Sequence, residues 1–359
     1  MMNDIGVPSA LCIKAGDQRK GRFAMRLATI LMKGVFALVV AMNFVANPVL
    51  AQTDPAKVAG PNACGECHKN ETVVWKGTHH FSTFKDLPRN EKARGIADKM
   101  GVKRIKADSL CVNCHFTVQT KGTRTRAVAG ISCESCHSEG AAWIKQHSEY
   151  SGKKKATESA AEVKARWAKA ESMGMIRPAN VYELAKNCYS CHVVPQEKLV
   201  NVGGHPAGSK FDLVAWSQGE IRHNLWHNDG KENLPGSANR LRIMHVVGLA
   251  VELETALRSV GNATERKAYA VYMARRAAAA RAKLTAIAKI LSSVPELAEI
   301  AKIGNSAGLK LNNGKELNAA ADKVATVTKK LAAKYDGSTF GAVDASLPSA
   351  DKYMGKPAR

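Results

Sequence analysis

The sequence predicts an all-α fold in two parts, short helices and loops first and a bundle of longer helices after them. Three observations predict it. The pattern Cys-x-x-Cys-His occurs four times, at residues 64–68, 111–115, 133–137 and 188–192, all in the first part. No stretch of alternating β-branched residues is long enough for a sheet. Beyond residue 238 the composition turns Ala-rich, and Leu241, Met244, Val247, Val251 and Leu257 recur at helical spacing.

Each pentapeptide reads as a covalent attachment site for a c-type haem. Its two thiols, Cys64 with Cys67, Cys111 with Cys114, Cys133 with Cys136 and Cys188 with Cys191, bond the two vinyl groups of one porphyrin. The residue that follows (His68, His115, His137 or His192) then lies under the iron. Structural zinc is a poor rival, because it needs two Cys-x-x-Cys units per ion and no regular trailing His. The fold class is therefore a multihaem cytochrome c, with short helices and loops around four haems and a C-terminal helical bundle. The porphyrins themselves supply much of the apolar surface for the first part.

Element signals follow in order. Asn70 caps a helix beginning at Glu71, Lys153–Met173 is one exposed helix ending at Gly174, and Pro178 opens the helix Ala179–Asn187. Gly230, Pro235 and Gly236 mark a boundary, so residues 52–235 form the haem domain and 236–340 a helical domain. Within the latter, one helix ends at Gly261-Asn262, a second spans Thr264 to Leu291, a third Pro295–Ile303 and a fourth Lys315–Lys334. Residues from Gly337 look loosely ordered, with 341–359 a flexible tail. This second part has no Cys and no His after His245, which suits a cap, a docking surface or an oligomer contact.

Residues 1–51 read as an export signal. Lys33 supplies the positive start, Gly34 to Ala46 the apolar run, and Val49-Leu50-Ala51 the small residues for cleavage before Gln52. That run is too short for a bilayer span of about 20 residues. Met25 or Met32 makes a better natural start than Met1, and the destination is the periplasm. Eight of nine cysteines lie in the motifs and Cys12 precedes the signal, so the exported chain keeps no spare thiol. Removing residues 1–51 takes six Lys/Arg and two Asp/Glu from the 53 and 31 of the whole chain, leaving 47 against 29, a net of +18. Even after up to eight haem propionates the protein stays basic. Such charge steers encounters with acidic redox partners, and nucleic acid is a poor fit for an exported chain.

A haem held by two histidines needs one beyond its motif. Seven remain: His79, His80, His147, His205, His223, His227 and His245. Counting alone assigns none of them. His245 sits among apolar helix positions and reads as a core residue, and His227 follows Trp226 in a polar loop. Trp75, Trp143 and Trp216 suit porphyrin packing. Arg124 and Arg126 suit propionates or a solvated loop.

The haem region resembles the tetrahaem cytochrome c-554 family over Pro61 to Trp226. The marks are Cys-His-Lys followed by Trp75 and a His five residues on; Cys111-Val112-x-Cys114-His115; and Val128-x-Gly130-x-x-Cys133-Glu134-Ser135-Cys136-His137 with His147 ten residues later. Lys210-Phe211-Asp212, with His223 beyond, is a further match. The resemblance implies His80 as ligand to the third haem, His147 to the fourth and His223 to the first. It also implies a second haem without a protein ligand on its open side. This sequence departs there, because His205 stands between Gly203-Gly204 and Gly208, where a backbone can approach a flat ring. His205 is taken as the second haem's ligand.

The reading is an electron carrier shuttling between a dehydrogenase or quinol-linked donor and a terminal acceptor, with membrane association through a quinol-linked partner. No catalytic residue is assigned. The rival is an oxidoreductase acting on a small nitrogen or sulfur compound at a five-coordinate second haem. A weaker third reading makes the chain a subunit of a larger multihaem complex through its C-terminal helices.

Overall fold

The structure is a computed structural model and describes residues 53–358. The export signal and Cys12 lie outside the described residues. Helix accounts for 61% of the described residues and strand for 4%, so the predicted all-α class holds.

In the first part every helix is short. They are α1 (Pro61–Gly65), α2 (Lys69–Lys76), α3 (His79–Asp86), α4 (Glu91–Lys99), α5 (Ser109–His115), α6 (Cys133–His137), α7 (Ile144–Ser148) and α8 (Ala160–Ser172). Next come α9 (Val181–His192), α10 (Glu197–Asn201) and α11 (Leu213–Ser217). Side chains set several starts: Thr78 caps α3, Asp108 caps α5 and Asn180 caps α9 through the Glu183 N–H. Ser159 and Glu162 form a reciprocal capping box at α8. That box places the helix start at Ala160, leaving 153–159 in turns rather than in the long helix expected. Likewise α2 begins at Lys69, not Glu71, because the chain turns helical directly after His68.

The strand content is one hairpin, β1 (Thr117–Lys121) with β2 (Arg124–Ala129), antiparallel. The sequence reading expected no sheet. Gly122, with φ of 59°, closes the turn, and the strands are too short for alternation to stand out. Arg124 and Arg126 lie on it, exposed. At its end Gly130 meets the α3 backbone so closely that a Cβ there would overlap the His80 and Phe81 carbonyl oxygens. A glycine is needed at that contact, and it sets where α3 can lie.

The second part is a four-helix bundle of α12 (Ala238–Gly261), α13 (Ala268–Ile290), α14 (Pro295–Ser306) and α15 (Gly314–Lys334). Each packs on its sequence neighbour, and α15 returns against α12 to close the ring. Leu253, Leu257, Met273, Leu284, Leu297, Ile300, Leu317 and Leu331 fill the centre, each fully buried. The bundle is not a separate globule. One apolar cluster runs from Val181, Tyr182 and Tyr189 on α9 through Leu213 and Val214 on α11 into the bundle. Residues 53–358 accordingly form a single compact unit, with no break at 235. A Gly/Pro-rich linker marks a turn in the path here, not a gap in the core.

The expected flexible tail is also packed. Phe340 and Val343 are fully buried, Glu220 N–H donates to the Met354 carbonyl, and the Asn233 amide donates to the Ala358 carbonyl. Small polar residues between them hid these anchors from a composition-based reading. Phe340→Ala is therefore expected to lower stability by about 3–5 kcal/mol. A chemical denaturation midpoint unchanged from the parent would show that the tail does not belong to the core.

Candidate cofactor site

Each motif sits at a helix end, where one turn brings its two thiols to one side. Cys111–His115 ends α5, Cys133–His137 is α6, Cys188–His192 ends α9, and Cys64–His68 leaves α1 for α2. Among the described residues all eight motif cysteines are free of disulfides.

The four motif imidazoles each face one other imidazole. Ring centres are 6.3 Å apart for His68 and His147, 6.2 Å for His115 and His205, 6.2 Å for His137 and His223, and 6.3 Å for His192 and His80. Metal–imidazole bonds of about 2 Å, with about 1.1 Å from nitrogen to ring centre, put two imidazoles on opposite faces of one iron about 6.2 Å apart. All four pairs meet that spacing. What sets these pairs apart from other aromatic neighbours is that each joins one motif imidazole to one imidazole from outside the motifs, four times over at one spacing.

The ring nitrogens agree. Nδ1 lies 2.9 Å from the Ile176 carbonyl in His137, 2.6 Å from that of Ile144 in His147, 2.8 Å from that of Pro206 in His205 and 2.6 Å from that of Ile221 in His223. A carbonyl only accepts, so each Nδ1 carries the proton and each Nε2 keeps a lone pair for a metal. Burial adds to this. It pushes the imidazoles of His115, His137 and His192 down to about 4, aided by neighbouring imidazoles, and lowers His68, His80 and His147 as well. The residues present thus fit four iron porphyrins.

Three partners differ from those the resemblance implied. His80 faces His192 of the fourth motif, not the third; His147 faces His68 of the first, not the fourth; His223 faces His137 of the third, not the first. His205 faces His115 of the second motif. Docking fixes these choices, and sequence distance has no bearing on them. The Arg166 guanidinium donates to the His147 carbonyl and pairs with Glu158 at 2.6 Å, while Trp143 stands edge-on to the His147 ring at 5.2 Å. Of the remaining histidines, His79 is exposed and held by Glu220, and His245 is buried on α12 with its Nδ1 unpartnered. His227 lies in the turn at Trp226–Asn228.

Aromatic rings flank the pairs. Phe211 stacks on His192 with centres 4.4 Å apart, Trp216 meets it edge-on at 4.6 Å, and Trp226 lies 4.5 Å from His68. Trp75 donates to the Ile131 carbonyl and packs on Phe81. Trp226 was not singled out from sequence, because a Trp beside a polar loop carries no signal of its own.

Glu134, inside the third motif, was missed too. It is almost fully buried, and its carboxylate accepts from the N–H groups of Ala59, Gly60 and Gly140, each at 2.7 Å. It thereby ties the segment entering the first motif to the third. The Cys191 thiol of the fourth motif reaches the Asn113 carbonyl of the second at 3.9 Å. Asn187 on α9 donates to the Ser135 and Cys136 carbonyls. In space the motifs therefore run first, third, fourth, second.

Motifs, paired imidazoles and free thiols together are what a c-type cytochrome would require. Residues 63–138 match the family described as cytochrome c554 and c-prime, so the chain carries a cytochrome c554 domain. The match takes in the first three motifs and stops before the fourth, a shorter span than the sequence marks implied. No curated protein and no solved structure matches the chain.

Glu134→Ala is expected to destabilise the protein by on the order of 3 kcal/mol, since three buried N–H groups lose their acceptor. Thermal unfolding checks it, and Glu134→Gln should recover part of the loss. An acid effect is expected at α8. The Arg166 guanidinium holds the Glu158 carboxyl below its ordinary range, and Lys153 with the Ser159 N–H and hydroxyl brings Glu162 down to about 2. Depressed carboxyls stabilise the fold above their ordinary range and lose that contribution as pH falls through the folded value. Stability should therefore decline from the ordinary carboxylate range toward pH 2, and less steeply in Glu158→Gln/Glu162→Gln, as read by hydrogen exchange over residues 147–172.

Proposed function

We propose that this chain is a periplasmic electron carrier that binds four haems, each between two histidines. The observation that carries the reading is the set of four imidazole pairs at one common spacing. A haem bonded at each motif would supply a one-electron ferric/ferrous couple. His68 with His147, His115 with His205, His137 with His223 and His192 with His80 would hold the irons. Cys64 and Cys67, Cys111 and Cys114, Cys133 and Cys136, and Cys188 and Cys191 would form the thioether links.

The chain's own residues do the rest. The Ile176, Ile144, Pro206 and Ile221 carbonyls fix ring orientation and leave Nε2 free to bind metal. Glu134 and Asn187 hold neighbouring motifs together, so electrons would pass along the order first, third, fourth, second. Phe211, Trp216 and Trp226 exclude water from the imidazoles they cover. Two histidines facing each other at every motif would leave no position open for a substrate, which argues for a carrier over a small-molecule oxidoreductase. The basic surface, +18 after removal of the signal, favours acidic redox partners in the periplasm.

The test is electron paramagnetic resonance of the oxidised holoprotein. The parent should show only low-spin ferric iron and no carbon monoxide binding when reduced. His205→Ala should convert one of the four irons to high spin and create one carbon monoxide site. A high-spin signal already present in the parent would refute the reading, as would a mutant spectrum unchanged from it.

A further inference from the structure

The fourth motif is the one whose helix joins the bundle, since α9 packs along α12. A chain of polar contacts runs the same way. His192 Nδ1 lies 2.9 Å from the Ser209 hydroxyl oxygen, and the Ser209 carbonyl accepts from Arg276 Nη1 at 2.8 Å. Arg276 is on α13, and its Nε lies 2.9 Å from the Glu252 carboxylate on α12. That approach is off the N–H axis, so the two meet as an ion pair without a straight hydrogen bond. The side chains are only 7% and 15% exposed. Gly208 is pressed between the two ends of the chain. A Cβ there would fall 2.7 Å from the His192 carbonyl and 3.3 Å from Arg276 Nη1. The guanidinium also stands 5.9 Å from the ring centre of Tyr189, inside the fourth motif.

A buried ion pair is weak support for stability, because desolvation offsets its attraction. Its position suggests another use. Charges in a low-dielectric interior act strongly over such distances, and the Arg276 charge already opposes protonation of His192. A cation near an iron favours the ferrous state and an anion the ferric state. A balanced pair holds both effects in check.

We propose that Arg276 and Glu252, both contributed by the C-terminal bundle, set the reduction potential of the haem at the fourth motif. Arg276 is a positioning residue: it fixes Ser209, whose hydroxyl accepts the His192 Nδ1 proton and so sets the imidazole's orientation and basicity. The charged groups around Glu252 are Arg276, Lys283 and Asp212. The proposal rests on the haem reading above and gives the bundle a role within it.

The test is a potentiometric titration of the holoprotein at pH 8, which keeps Glu252 ionised against the upward push of its burial. Arg276→Met leaves Glu252 uncompensated and should lower one potential of the four, by about tenfold in the redox equilibrium, or ~59 mV for one electron. Glu252→Gln leaves Arg276 uncompensated and should raise the same one. Arg276→Lys, which keeps the charge, should return toward the parent value. Arg276→Met/Glu252→Gln, neutral at both positions, should fall between the single variants. If Arg276→Met does not fold, Glu252→Gln alone decides by the sign of its shift. A purely structural role would move both single variants in the same direction. That result, no shift at all, or an equal shift of all four potentials would overturn the proposal. The parent spectrum tests the four-haem reading separately, so the two failures are distinguishable.

Discussion

Two imidazoles held a fixed distance apart across a gap, at least one of each pair tied through its outer nitrogen, form the constraint on which the first part of this molecule depends. Rings with centres this far apart lend each other little support, so the backbone on each side is held by its own contacts. That explains why this region is built of helices of one to three turns joined by hydrogen-bonded corners. Capping by Thr78, Asp108 and Asn180 fixes where each short helix starts. Gly130 permits α3 to lie against the hairpin end, and that contact carries His80 to His192. Arg166, on a helix that supplies no ligand of its own, and Glu158 just before that helix do the corresponding work for His147.

The bundle supplies what the short helices cannot. Helices this short are not stable alone, and the apolar side chains available to the first part are few. Helix α9 belongs to both regions. Its Val181, Tyr182, Ala185 and Tyr189 face the bundle core, while Cys188, Cys191 and His192 serve the fourth motif. The Tyr182 hydroxyl donates to the buried carboxylate of Glu254, fixing α9 in rotation as well as position. A helix so fixed gives Asn187 a steady place from which to hold the third motif.

Much of this was legible in the sequence. The four pentapeptides are local signals, and so are the long helices of the bundle, whose ends fell within a few residues of Gly261, Ile290 and Lys334. The eight facing imidazoles were all named. Which imidazole meets which was not legible. His80, His147 and His223 are each the sort of residue that can serve any motif, and docking of α3, α7 and the loop after α11 decides the matter. Glu134 and Arg276 were invisible for another reason. A charged side chain reads as surface unless its partners are known, and theirs are backbone amides 74 and 75 residues away or a residue on the neighbouring helix. The packed tail escaped because two buried residues, Phe340 and Val343, are too few to show a period.

Position along the series gives the four motifs different surroundings. The first lies at one end and is the most open: Cys67 is exposed and the His68 side chain is 34% exposed. Trp226, itself 39% exposed, covers that ring, and the Lys155 ammonium lies 5.4 Å from the centre of the Trp226 ring, with Lys153 and Lys154 exposed beside it. On the proposed reading, an acidic partner would meet the series there. The fourth motif is interior, between the third and the second, and it alone is backed by a buried ion pair from the bundle. Charges at an exposed end are screened by salt and change as partners come and go. A pair sealed between α12 and α13 is subject to neither effect. An interior potential set in this way would stay constant while the exposed end exchanges partners, so the direction of electron flow would be governed from within the fold.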